Sequence, residues 1–188
     1  MTIGLYVVAR NTWKDGRRAL IYAKDPFLIG DGRVPGVDSG KPAFLVVDLT
    51  NSGDTPARKA IGNTNYCATV GGLPNYFSFP PSPGTQPELL LPPKGVGQTS
   101  FELPNTLLVD TQLGRRNLFV YGVVEYEDVF NERHKTEFCS QYRGFVLQAD
   151  GMVEKLIWSA CDKHNCHDGD CPEKWGNAPC PQIGAKPR

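Results

Sequence analysis

Apolar and polar residues alternate with a period of two along several stretches of this chain, as expected of strands that lay one face on a core. In Lys41–Thr50, Leu45, Val47 and Leu49 fall on one face and Phe44, Val46 and Asp48 on the other, so the strand is covered on both sides at its start. It stops at Asn51-Ser52-Gly53-Asp54, a turn-forming cluster. Thr55-Pro56 then restarts an extended chain, because proline fixes its own φ and disfavours a helical residue before it. A second strand follows from about Arg58 to Val70. The sharpest pattern is Asn117–Asp128, where Leu118, Val120, Gly122, Val124 and Tyr126 oppose Phe119, Tyr121, Val123, Glu125 and Glu127. A short turn through Arg133 leads into His134–Arg143, which predicts a β-hairpin with one wet face. Asp150-Gly151 separates Phe145–Ala149 from Met152–Trp158 as a two-residue hairpin would, with a short helix over Val153–Trp158 as the alternative. Ala19–Ala23, Val96–Leu103 and Thr106–Val109 read as further strands.

Seven to nine short strands, with no amphipathic helix longer than about ten residues, predict an all-β fold of two antiparallel sheets packed as a sandwich. Residues 1–18 read as an N-terminal extension, 19–158 as the sandwich domain, and 159–188 as a Cys-rich, irregular C-terminal tail. The 20 Gly and 16 Pro in 188 residues fit many turns and few long helices. Twenty Lys+Arg balance 20 Asp+Glu, which argues against a nucleic-acid partner bound through a strong basic field. Leu73–Lys94 is Pro-rich and reads as an exposed connection; within it Phe79, Pro80, Pro81 and Pro83 are candidate partner contacts, as is Trp175 in the tail. No uncharged stretch is both long and apolar enough for a spanning helix. Met1–Ala9 is apolar but ends at Arg10, and reads either as a first strand or as the end of a membrane anchor that begins upstream.

The run Asn51-Ser52-Gly53-Asp54-Thr55-Pro56-Ala57, followed by Leu118-Phe119-Val120-Tyr121-Gly122, Tyr126, Asp128, Phe130 and Thr136-Glu137-Phe138-Cys139, resembles a loose family of uncharacterised bacterial proteins. Their pattern is an N-x-G-x-T-P-A turn and a closing T-x-F-C strand, and the likeness covers about Ala19 to Tyr142. The resemblance implies an immunoglobulin-like or fibronectin-like sandwich, often tethered by an N-terminal membrane helix, with no established activity. This chain has only Met1–Ala9 where that helix would stand.

Six cysteines, Cys67, Cys139, Cys161, Cys166, Cys171 and Cys180, allow 15 complete pairings. Cys67 and Cys139, in separate strands, are candidates for a bridge between strands or sheets, although their parity points both away from the main core, and two unpaired thiols are the alternative. In the tail, two disulfides would staple a segment poor in apolar residues; a zinc site through Cys161, Cys166, His167 and Cys171 is the alternative, though it lacks a C-x-x-C knuckle. Otherwise no metal or cofactor is expected. Asp162, Asp168, Asp170 and Glu173 read as a solvated acidic turn, and Glu125, Glu127 and Asp128 as solvent-facing charge. Trp158 ends an apolar run and is expected to seal the sandwich edge.

No G-x-S-x-G, P-loop, G-x-G-x-x-G or H-E-x-x-H signature occurs. His134 and Cys139 fall on opposite faces of one strand, which keeps them from acting as base and nucleophile. The expectation is a non-enzymatic accessory or binding module for a protein partner in the cell envelope or another extracytoplasmic location. A zinc-binding module and an unrecognised hydrolase are the alternatives, and a cytoplasmic location is the alternative to the envelope.

Overall fold

The computed structural model describes residues 17–29, 43–73, 87–150, 153–162 and 164–171. Among them ten strands follow in order: β1 (Ile21–Ala23), β2 (Phe27–Ile29), β3 (Ala43–Asn51), β4 (Ala57–Thr69), β5 (Leu89–Leu91), β6 (Val96–Leu103), β7 (Asn117–Glu127), β8 (Arg133–Leu147), β9 (Val153–Ala160) and β10 (Cys166–His167). A helix, α1 (Asn105–Gln112), lies between β6 and β7. Two antiparallel sheets result. In the smaller, β1 and β2 pair successively along one edge of β3 and β6 along the other. The larger runs β5-β4-β7-β8, and β8 carries β10 and then β9 on its outer edge.

The core forms where the two inner faces meet. Leu45, Val47 and Leu49 of β3 pack with Leu118, Val120, Val124 and Tyr126 of β7, the sets that alternation assigned to one face. Each such side chain taken out of water contributes about 1.5–3 kcal/mol. The all-β, two-sheet architecture agrees with the sequence reading. A second, smaller cluster occupies the outer face of the larger sheet, where Cys67, Phe119, Tyr121 and Cys139 are all buried. Cys67 and Cys139 thus point away from the main core, as their parity required, yet into a covered layer.

The structure corrects three expectations and adds two short strands. Thr106–Val109 belongs to α1, not to a strand: Leu107 and Leu108 are both buried, which neighbouring residues of a strand with one inner face cannot be. Its N–H groups begin pairing at once, Leu107 donating to the Pro104 carbonyl. His134–Arg143 and Phe145–Ala149 are not two strands but parts of continuous β8, in which Gly144, at φ +144°, absorbs a register shift against β9. The short runs Phe27–Ile29 and Leu89–Leu91, too brief to show a period, also pair as β2 and β5. The wet face of the β7–β8 hairpin is covered at Glu137 and Cys139, both 1 % exposed, because the segment after β9 returns over β8. Val153–Trp158 lies in a strand, and Trp158 is partly buried, its ring edge-on to Tyr142 at 5.4 Å.

The Asn51-Ser52-Gly53 turn is a structural corner. Asn51, 0 % exposed, accepts the Leu20 and Gly53 N–H groups at Oδ1 and donates from Nδ2 to the carbonyls of Thr55, Leu91 and Pro92. A β-carbon on Gly53 would stand 2.2 Å from the Arg18 carbonyl oxygen, so only glycine lets the two backbones approach this closely.

Candidate functional site

At the turn end of the β7–β8 hairpin, the register places Tyr126 opposite His134 and Val124 opposite Thr136, all on the core-facing side. β10 pairs with the same strand and sets His167 opposite Thr136. A turn of 3₁₀ helix over Asp168–Asp170 then brings the Asp168 carboxylate back toward His134. Pieces distant in sequence thereby form one polar cluster beside the carbonyls of Ala19 and Ile21.

The cluster starts at Asp128, which is fully buried. Its Oδ1 accepts the N–H groups of Phe130 (2.8 Å) and Glu132 (3.0 Å), closing the hairpin turn, and its Oδ2 faces His134 Nε2 at 3.1 Å. His134 Nδ1 lies 2.7 Å from Asp168 Oδ2. The other Asp168 oxygen accepts the Lys135 N–H at 2.8 Å, and Oδ2 also lies 3.2 Å from His167 Nε2. His167 Nδ1 meets Thr136 Oγ1 at 2.8 Å, and that hydroxyl meets the Ile21 carbonyl at 3.0 Å. The carbonyl can only accept, so the Thr136 proton points to it and Oγ1 accepts from His167 Nδ1–H. This direction is the reverse of what a base drawing a proton from a nucleophile requires, although Thr136, His167 and Asp168 superficially form a triad.

Ring stacking frames the cluster: Tyr126 lies 5.2 Å from His134 and 6.4 Å from His167, and the two imidazoles are nearly parallel. The Tyr126 hydroxyl donates to the Ala19 carbonyl, and burial pushes its pKa up to about 12. Burial opposes ionisation of Asp128, but the Glu132 N–H, the His134 ring and the Phe130 N–H outweigh it and hold the carboxyl below its ordinary value. Burial likewise opposes ionisation of Asp168, and the His134 ring and the Lys135 N–H reverse the balance. Burial lowers the His167 pKa, with Asp168 pulling the other way. Arg18 approaches Asp168 Oδ2 to 3.7 Å.

A cavity of about 550 Å³ opens beside the cluster, with Lys59, Glu125, Glu127, Lys135, His134 and Asp168 among its lining. Lys59 hydrogen-bonds Glu127 at 3.0 Å, the main reason that carboxyl is held low. On the opposite face of β8, Lys135 pairs with buried Glu137, which lies 3.8 Å from buried His164.

Cys139 is bonded to Cys161, and Cys166 to Cys171. Asn165 reinforces the first bridge, accepting the Cys139 N–H and donating to the Cys139 and Cys161 carbonyls. The expected Cys67–Cys139 bridge does not form. Strand β7 lies between them, and Cys67 sits opposite Phe119 while Cys139 sits opposite Tyr121, so they stand more than two strand spacings apart, over roughly 9.5 Å and beyond disulfide reach. Cys67 is itself disulfide-bonded, so the alternative of two unpaired thiols fails as well.

The zinc set Cys161, Cys166, His167 and Cys171 is not assembled: Cys161 is held by Cys139, and oxidised Cys166 and Cys171 offer no thiolates. Among the described residues, the groups close enough to share a metal ion are His134, His167 and Asp168; Asp128, Glu132 and His134; and Glu137 with Cys166 and Cys171. Asp128 and Asp168, read as solvated charge, are instead the acceptors that organise the cluster. Phe79, Pro80, Pro81, Pro83, Trp175, Glu173 and Cys180 lie outside the described residues. The sequence carried one usable signal for the site, an Asp and a His flanking a tight hairpin turn, where a side chain that closes the turn also reaches the returning strand.

No family model matches the chain, and no curated protein matches it in sequence.

Proposed function

We propose that this chain is a non-enzymatic binding module of an oxidising, extracytoplasmic compartment. In this reading, the rim formed by the β7–β8 turn and the stapled segment 161–171 receives a protein partner. The observation that carries the reading is the stapling. A segment with few apolar residues is tied to β8 by the Cys139–Cys161 disulfide and the Asn165 clamp, is closed on itself by Cys166–Cys171, and reaches the mouth of a charged cavity. Ordering such a segment costs about 1–2 kcal/mol of backbone entropy per residue, and covalent closure offsets part of that before any partner arrives. Disulfides of this kind persist in oxidising compartments. Among the described residues no helix is long and apolar enough to cross a membrane. The resemblance of the Asn51–Ala57 turn and the Thr136–Cys139 strand to uncharacterised bacterial proteins, often tethered by an N-terminal membrane helix, supports this placement.

Site-specific photocrosslinking in the source cells tests the proposal. A benzophenone residue at Glu88 or Arg133, on the cavity wall, is expected to yield one discrete protein adduct, whereas one at Gln98, on the smaller sheet, yields none. The adduct should vanish when Cys139 and Cys161 are both changed to Ala. Equal labelling from all three positions, or none from the cavity wall, refutes the assignment.

A further inference from the structure

We propose that His134 Nδ1, His167 Nε2 and Asp168 Oδ2 form a binding site for a zinc-class divalent cation. His134 stands between two carboxylates, with Nε2 3.1 Å from buried Asp128 and Nδ1 2.7 Å from Asp168; in the tautomer that gives the N–H to Asp128, a lone pair remains on Nδ1. His167 gives its Nδ1–H to Thr136, whose own proton is committed to the Ile21 carbonyl, which leaves a lone pair on Nε2. Both lone pairs face the same carboxylate oxygen, at 2.7 and 3.2 Å. Three electron-rich atoms at such distances repel one another unless a positive charge sits among them.

One added proton, on His134 Nδ1, would also supply positive charge, but it leaves the His167 Nε2 lone pair facing the same oxygen. A second, on His167, would bring two imidazolium rings and the Arg18 guanidinium, already 3.7 Å from Asp168 Oδ2, against that carboxylate. A single divalent ion places its charge at the point where the lone pairs converge and leaves every existing N–H with its acceptor.

The surroundings have the form that orients metal ligands. A histidine that binds a metal through one nitrogen usually donates the other N–H to a carboxylate, carbonyl or hydroxyl, which fixes tautomer and ring direction. Asp128 is placed to do this for His134, and Thr136 does it for His167. Two imidazoles and one carboxylate suit zinc and its neighbours rather than calcium or magnesium. A tetrahedral ion with bonds of about 2.0–2.1 Å holds its ligands roughly 3.3 Å apart. The His167–Asp168 separation already meets this, and the His134–Asp168 pair needs to open by about half an ångström. Because His134 and Asp168 also line the cavity, the fourth position opens onto it and takes water or an anionic ligand. This site shares only His167 with the cysteine set suggested by the sequence.

The test uses the full oxidised chain, stripped with chelator and titrated with Zn²⁺ against a chromophoric competitor, then with Co²⁺. One ion per chain is expected, with a Co²⁺ spectrum that lacks thiolate charge transfer. His167→Gln and Asp168→Asn, both at partly exposed positions, should each weaken Zn²⁺ binding by more than 100-fold. Thr136→Val should weaken it about 10- to 100-fold through lost ring orientation. Exposed Glu132→Gln should leave affinity unchanged, which separates this site from the neighbouring Asp128, Glu132 and His134 group. Near-ultraviolet circular dichroism verifies that each variant is folded. Should a variant fail to fold, the histidine ring ¹⁵N resonances of the wild-type chain decide: both His134 and His167 must shift on adding stoichiometric Zn²⁺. Absence of stoichiometric binding, affinity retained in both ligand variants, or ring resonances that do not move overturns the proposal.

Discussion

Asn51 joins three backbone segments through one side chain, and two substitutions there separate its roles as acceptor and donor. Its Oδ1 holds the Leu20 and Gly53 N–H groups at 3.2 and 3.0 Å. Its Nδ2 has two hydrogens for three carbonyls, of Thr55, Leu91 and Pro92, at 2.8, 3.1 and 3.2 Å. Four effective bonds at about 1 kcal/mol net give an upper figure near 4 kcal/mol; most are only partly buried, so Asn51→Ala should cost about 3 kcal/mol. Asn51→Asp keeps the acceptor and the size but turns an anionic oxygen toward three carbonyl oxygens in a site 0 % exposed. Burying an unpaired charge costs more than leaving polar groups unpaired, so at neutral pH Asn51→Asp should be at least as destabilising as Asn51→Ala. The gap should narrow as the solution is acidified and the new carboxyl gains a proton to donate. Urea unfolding of the oxidised protein, followed by tryptophan fluorescence, measures both. An Asn51→Asp chain as stable as the unaltered one at neutral pH, or an Ala variant losing less than about 1 kcal/mol, would refute the reasoning.

Two further outcomes follow from the bridges and the buried phenols. The Cys139–Cys161 bridge closes 22 residues, so the Cys139→Ala/Cys161→Ala pair should lose about 3 kcal/mol by loop-closure entropy, read as a lower urea midpoint; an unchanged midpoint contradicts the bridge. Burial pushes Tyr121 and Tyr142 up to about 12 against an ordinary 10.0, so their contribution is intact below pH 10 and is lost as the pH climbs from there toward 12. Ultraviolet titration should show a late group of phenols that ionise only as the fold fails, and ionisation of all seven tyrosines together near 10 would contradict it.

What could be read from the sequence was whatever a local period encodes. Leu45, Val47 and Leu49, and Leu118 through Tyr126, show their face in the spacing, so the two-sheet core was legible. Thr106–Val109 was not, since four residues cannot distinguish strand from helix until Leu107 and Leu108 are seen to share a core. The covered face of β8 was illegible for a different reason. Its cover, 161–171, is irregular and is held by bonds whose partners lie far along the chain, at Cys139, His134 and Thr136. The polar cluster was missed on the same ground: Asp128 and Asp168 look like surface charge until the turn and the staple bring each to His134.

The pairing of Arg58 with Glu127, and of Ala43 with Leu103, joins residues separated by about a third of the chain. Contacts of such reach place folding on the millisecond-to-second scale, because a long loop must close before any ladder rewards it. The hairpins β7–β8 and β8–β9 need no such search and are the natural first structures. Until β4 arrives, the free edge of β7 remains a template for any other extended strand nearby. Newly made chains are therefore vulnerable to aggregation during this interval, and a holding chaperone that covers the β7 edge would protect them.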